Sequence, residues 1–154
     1  MTFQRLVDRA QSYSLLGSRP RGFQLADLRQ YLDEGGNPDE KDGNGLSLLH
    51  QLADSGDAPA VELLISRGAA LNTQDAQGWT PLHFAVDADC DSANQDRNRP
   101  LALTTTQKLI ESGADESIRS LKGETARDIA VAYGKLATAH YDAIPRPHNT
   151  IPLK

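Results

Sequence analysis

The chain has 154 residues, 38% hydrophobic, 24% charged and only 5% aromatic, which fits one globular domain and excludes disordered and fibrous classes. With so few aromatics, burial must come from Leu, Ala, Val and Ile, which suits close-packed helices better than a β-sandwich. The net charge of −5 and the absence of any run of five basic residues exclude a nucleic-acid footprint and point to a partner with a basic surface.

From the N-terminus, Met1 to Ala10 carries Arg5, Asp8 and Arg9, and no apolar stretch is long enough for a signal peptide or a membrane span, so a cytoplasmic location without membrane contact is expected. Phe3 to Leu16 and Phe23 to Glu34 read as two helices around Arg19-Pro20-Arg21-Gly22, with Leu28, Tyr31 and Leu32 facing inward. Next, Ser47 stands before a helix bearing Leu49, Leu52 and small Ala53, and Ala58 to Arg67 forms a second helix that ends at Gly68. The pattern returns with Thr80 as N-cap, Pro81 at the first helical position and Leu82, Ala85 and Val86 facing inward. A polar stretch from Asp89 to Pro100 reads as a solvated loop before a helix over Thr104 to Ser112, closed by Gly113. Thr125 caps another helix with small Ala130, Gly134 to Ala143 supplies a last one, and from Pro145 the prolines make an extended tail.

These elements repeat. Gly45-Leu46-Ser47-Leu48-Leu49-His50 aligns with Gly78-Trp79-Thr80-Pro81-Leu82-His83 at a separation of 33 residues, and Gly35-Gly36-Asn37 aligns with Gly68-Ala69-Ala70 at the same separation. In the third copy, Gly123-Glu124-Thr125-Ala126-Arg127-Asp128 and Gly113-Ala114-Asp115 both stand 45 residues from their predecessors. Both markers shift by the same 12 residues, so one repeat carries an insertion near 89–100.

A 33-residue period with Thr-Pro-Leu-His opening one helix and Gly-Ala closing the next resembles the ankyrin repeat, most closely over Gly78 to Ala85. The resemblance covers roughly residues 24 to 144. It implies an all-α solenoid of stacked helix pairs joined by short β-hairpin-like connections, each pair burying its apolar face only against a neighbour. The expected domain is 1–144: a capping or degenerate repeat at 1–36, repeats at 37–69 and 70–114, a capping repeat at 115–144, and a tail at 145–154. Arg127 and Asp128 depart from the family's leucine and histidine, as terminal repeats do.

No catalytic seat is visible. His50 and His83 hold the T-P-L-H position, where the family uses the imidazole for backbone hydrogen bonds, and no nucleophile or paired acid stands at matching spacing. Single Cys90 forms no internal disulfide, and no metal-ligand spacing joins it to His140 or His148. Asp87, Asp89 and Asp91 resemble half a calcium loop, but Ser92 stands where glycine is required and Asn98 where glutamate is. No enzyme, cofactor or metal is expected.

The resemblance implies binding through hairpin tips and the exposed side of each first helix. Carried onto this sequence, that surface is Asn44, Leu46, Asp54 and Ser55, then Gln77, Trp79, Asp87 and Ala88, then Lys122, Glu124, Ala132 and Tyr133. Trp79 is the expected anchor, since exposed tryptophan is enriched at hot spots; its other reading is packing over the neighbouring hairpin. Insertion residues Asp96, Arg97 and Arg99 are candidate rim contacts. The expected function is a monomeric adaptor or inhibitor with one protein partner, such as an immunity protein against a nucleic-acid-directed toxin. The alternative is a scaffold or regulatory subunit of an enzyme or transporter complex, and behind it a metal-binding loop protein.

Overall fold

A computed structural model describes residues 2–6, 25–95 and 100–147; most of the first predicted helix, Asp96, Arg97, Arg99 and the tail from His148 lie outside them. After the helical residues 3–6, α1 spans Leu25–Asp33, α2 Leu48–Asp54, α3 Ala58–Ser66, α4 Pro81–Gln95, α5 Thr104–Glu111, α6 Ala126–Ala132 and α7 Lys135–Asp142. The first helices pack in one layer, α2 on α4 and α4 on α6, while α1, α3 and α5 follow one another in a second. No strand occurs among the described residues; the hairpin before α2 is marked by one bridge, Lys41 to Ser47. The all-α solenoid read from the repeat is the observed architecture. Leu28, Leu49, Leu52, Leu64, Leu82 and Leu109 are buried between the layers, where close packing of aliphatic side chains supplies the main driving force.

Each hairpin is built the same way. Asp42 Oδ1 accepts from the Asn44 and Leu46 amides at 2.9 and 3.0 Å; Asp75 Oδ1 accepts from Gln77 and Trp79 at 2.9 and 2.8 Å. Ser120 Oγ takes the same role towards Lys122 and Glu124, at 3.2 and 3.3 Å. Such side-chain turns satisfy amides that the sharp chain reversal leaves unpaired. Gly78, at φ +75°, is where neighbouring hairpins come closest: a Cβ there would stand 2.9 Å from the Leu121 nitrogen, so only glycine fits.

The insertion differs from the expected loop. Gly56 and Gly134, both at positive φ, follow the first helix of their repeats nine residues after the cap residues Ser47 and Thr125. The equivalent position after Thr80 is Asp89, and α4 runs through it to Gln95. A residue that favours the right-handed region replaces the glycine stop, so the helix continues. Asp89 also serves the next helix, because its Oδ2 accepts from the amide and hydroxyl of Thr106, both at 2.9 Å. This carboxylate caps α5, whose own N-cap residue, Leu103, has no side-chain acceptor.

The two T-P-L-H histidines join repeat to repeat. His83 Nδ1 accepts from the Thr80 amide at 3.1 Å and the Thr80 hydroxyl at 2.8 Å, which places the ring proton on Nε2. That Nε2–H donates to the Glu124 carbonyl in the next hairpin at 3.0 Å. His50 makes the same set: Ser47 on Nδ1 at 3.1 and 2.9 Å, and the Trp79 carbonyl on Nε2 at 3.2 Å. In the last repeat Asp128 Oδ2 accepts from the Thr125 amide and hydroxyl, both at 2.9 Å. The carboxylate reproduces the local half of the histidine's role and lacks the donor for a further hairpin.

The terminal repeat changes in step. Leu49 and Leu82 are buried, whereas their equivalent Arg127 is exposed and grips Asp142 of α7 through paired bonds of 2.8 and 2.7 Å. The beginning of the predicted tail is anchored as well. Arg146 reaches Glu116 through Nε and Nη2 at 3.0 and 2.9 Å and lies 5.4 Å over the Tyr141 ring.

Two stability outcomes follow from these bonds. His83→Ala strips partners from the buried Thr80 amide and from the Glu124 carbonyl of the next hairpin and is expected to lower unfolding free energy by about 2–4 kcal/mol, against about 1 kcal/mol for Asp128→Ala; urea melts giving equal losses would dissolve the distinction between joining and capping residues. Asp89→Ala should be less stable than Asp89→Asn by about 1 kcal/mol, because the amide keeps an acceptor for Thr106. Coincident melts of that second pair would show that α5 does not rely on the cap.

Candidate functional site

The structure sorts the residues of the expected surface into two groups. Asn44, Gln77 and Lys122 are exposed at successive hairpin tips, and the tips are laced by backbone bonds: Ala76 N–H to the Asn44 carbonyl at 3.4 Å and Leu121 N–H to the Gln77 carbonyl at 2.9 Å. Leu46, Trp79 and Glu124 form a parallel row one residue before the caps, and the carbonyls of Trp79 and Glu124 receive the two histidines. At the other end of the first helices, about 10 Å away by the rise of a seven-residue helix, stand Asp54, Ser55, Asp87, Ala88, Ala132 and Tyr133. The hairpin row and this helix-end row do not converge on a single point; they bound the two edges of one inner face.

Trp79 does not project freely. It is half-buried, its ring making edge contact with Phe84 at 5.2 Å between centroids and lying 5.8 Å from His83. Its indole therefore both joins the core and leaves one side open. Leu121, which the sequence reading passed over, is 77% exposed at the third hairpin tip beside Lys122. The available signal was its register: it occupies the tip position held by Gly43 and Ala76, where a leucine finds no core to enter.

The helix-end row is acidic. Asp54 is exposed, yet partial loss of water and then the charge of Asp87 hold its carboxyl above the usual range. Asp87 accepts from the Tyr133 hydroxyl at 2.9 Å; burial, then that bond, pushes the Tyr133 phenol upward. Asp87, Asp89 and Asp91 diverge along α4, bonding to Tyr133, Thr106 and Gln95 respectively. Among the described residues no three potential ligands converge on a metal position, and none of Asp54, Asp87, Asp89 or Asp91 forms an ion pair. Burial pushes the Cys90 thiol up to about 11, which suppresses thiolate chemistry at neutral pH.

The chain matches a family model described as ankyrin repeats, three copies, over residues 21–95. This chain is an ankyrin-repeat protein. The terminal ankyrin unit lies beyond that match, and the His83 to Glu124 bond ties its hairpin to the preceding repeat. Similar proteins include human protein phosphatase 1 regulatory subunit 27, 32% identical over 96 residues, covering 53% of this chain and 58% of that one. Mouse RelA-associated inhibitor is 35% identical over 62 residues, covering 40% of this chain and 8% of that one. Mouse protein phosphatase 1 regulatory subunit 12A is 31% identical over 107 residues, covering 69% and 9%. The ankyrin chain thus spans a little over half of the first relative and a small part of the other two. Among its described residues no helix is long and apolar enough to cross a membrane.

The buried groups of this ankyrin array make its stability depend on pH in two opposed senses. Burial holds His50 and His83 below their ordinary value, so the folded chain binds fewer protons than the unfolded one and stability is lost as pH falls below about 6.5. Burial raises Asp89 to about 6, so its folded form takes up a proton before its unfolded form does, and stability is gained over that range. Removing the gain with Asp89→Asn should make the decline between about pH 7 and about pH 5 steeper than in the parent. Urea midpoints that fall in parallel would show that Asp89 titrates normally.

Proposed function

We propose that this chain is a non-catalytic protein-binding module, an adaptor or inhibitor whose single partner meets the inner face between hairpin tips and first-helix ends. One observation carries the reading: partial loss of water and then the nearby charge of Asp87 hold the Asp54 carboxyl above its usual range, and no cation is paired to either carboxylate among the described residues. Such a wall is stabilised by a partner that brings positive charge, and it steers the encounter with one. Half-open Trp79 and exposed Leu121 add apolar contact at the opposite edge, and Lys122 and Glu124 flank it. A cytoplasmic immunity protein against a nucleic-acid-directed toxin fits this charge, because a toxin of that kind presents a basic surface. The two phosphatase relatives, both named as regulatory subunits, favour the other role, a regulatory subunit of an enzyme.

The test is capture of a partner from native lysate by the parent chain beside Trp79→Ala and Asp54→Asn/Asp87→Asn. The expected outcome is one stoichiometric protein, weakened about tenfold or more by each variant and by raised salt for the parent. Retention of the same protein by all three would remove the inner face from consideration. Inhibition of the captured protein's activity supports the immunity reading; an altered substrate preference supports the regulatory one.

A further inference from the structure

The extra turns of α4 create a surface that the uninterrupted repeats do not have. Where α2 and α6 end before glycine, α4 continues, and its residues 90, 93 and 94 face the α6–α7 turn across a groove of about 240 Å³. Cys90, Ala93, Leu101, Tyr133, Leu136 and Ala137 line it, with Asn94 contributing an amide. Leu136 is 64% exposed although its neighbours in the lining include buried Cys90 and Ala137. A leucine left open beside an apolar floor marks a place that a partner's side chain completes. The groove is smaller than the roughly 300–1,000 Å³ of small-molecule sites, and its scale is that of inserted side chains.

Charge selects among such partners. Tyr133 in the lining binds Asp87 at 2.9 Å, and Asp91 also acts on that phenol through its charge. No cation lines the groove, and neither aspartate is ion-paired among the described residues. We propose that the insertion groove is a second docking site, taking a short segment of a partner protein that seats an aliphatic side chain against Leu136 and sets Lys or Arg beside Asp87 and Asp91. This rests on the protein-binding reading but not on the hairpin tips.

The experiment is a titration of the isotope-labelled full chain with the blocked peptide Lys-Leu-Leu-Lys and its acidic counterpart Glu-Leu-Leu-Glu, followed by backbone amide shifts. The basic peptide should move Ala93, Leu136 and Ala137 and bind about tenfold more tightly than the acidic one. Leu136→Ser and Asp91→Asn, both at exposed positions, should each weaken it about fivefold or more with melting unchanged, and Trp79→Ala should leave it unaltered. Equal affinity for both peptides, shifts confined to the hairpin tips, or no shift at millimolar peptide would overturn the proposal. Shifts that follow protein concentration alone would assign the groove to a second copy of this chain and overturn it too. If the groove stays silent while capture of a partner still depends on Trp79, this proposal falls and the inner-face reading stands.

Discussion

The structure depends on a buried imidazole that is used from both sides. An ankyrin helix pair cannot bury its apolar face alone, so stability resides in the junctions between units. At His50 and His83 one ring nitrogen accepts from the cap residue of its own helix and the other donates to the hairpin of the next unit. The geometry requires a group that is both acceptor and donor across a flat ring, and a neutral imidazole meets that requirement. Burial keeps the ring neutral, so the bond that joins repeats also makes the array sensitive to acid.

The end of the described array shows the same logic by subtraction. Asp128 keeps the acceptor and drops the donor, and Arg127 takes the place of a buried leucine, turning to Asp142. Where no further unit is stacked among the described residues, an apolar side chain would face water and a donor would face nothing. Tyr141 and Arg146 close this region around Glu116, giving the terminal unit a polar network in place of an apolar neighbour.

The inner face owes its character to what the junctions leave over. Hairpin carbonyls are occupied by histidines, and hairpin amides by Asp42, Asp75 and Ser120. Side chains at the tips and at the helix ends remain outside these junction bonds, and there Asp54 and Asp87 have no ion-pair partner among the described residues. The insertion adds a wall to this plan without disturbing it. Because Asp89 returns to cap α5, the longer helix remains fastened to the repeat from which it grows.

The repeat, its caps and its inward residues were legible in the sequence because they rest on short-range rules: a 33-residue period, a cap before each helix and glycine after it. Even the helical insertion was written there, in Asp89 standing where Gly56 and Gly134 stop their helices, although polar composition alone suggested a loop. The sequence by itself determined which residues cap, which stop a helix and which seek a core, since each depends on a few neighbours along the chain. Only the tertiary structure decided that Trp79 packs on Phe84, that Arg146 reaches back thirty residues to Glu116, and that Tyr133 meets Asp87. Those contacts join side chains from different elements, and their partners are fixed by how the units stack.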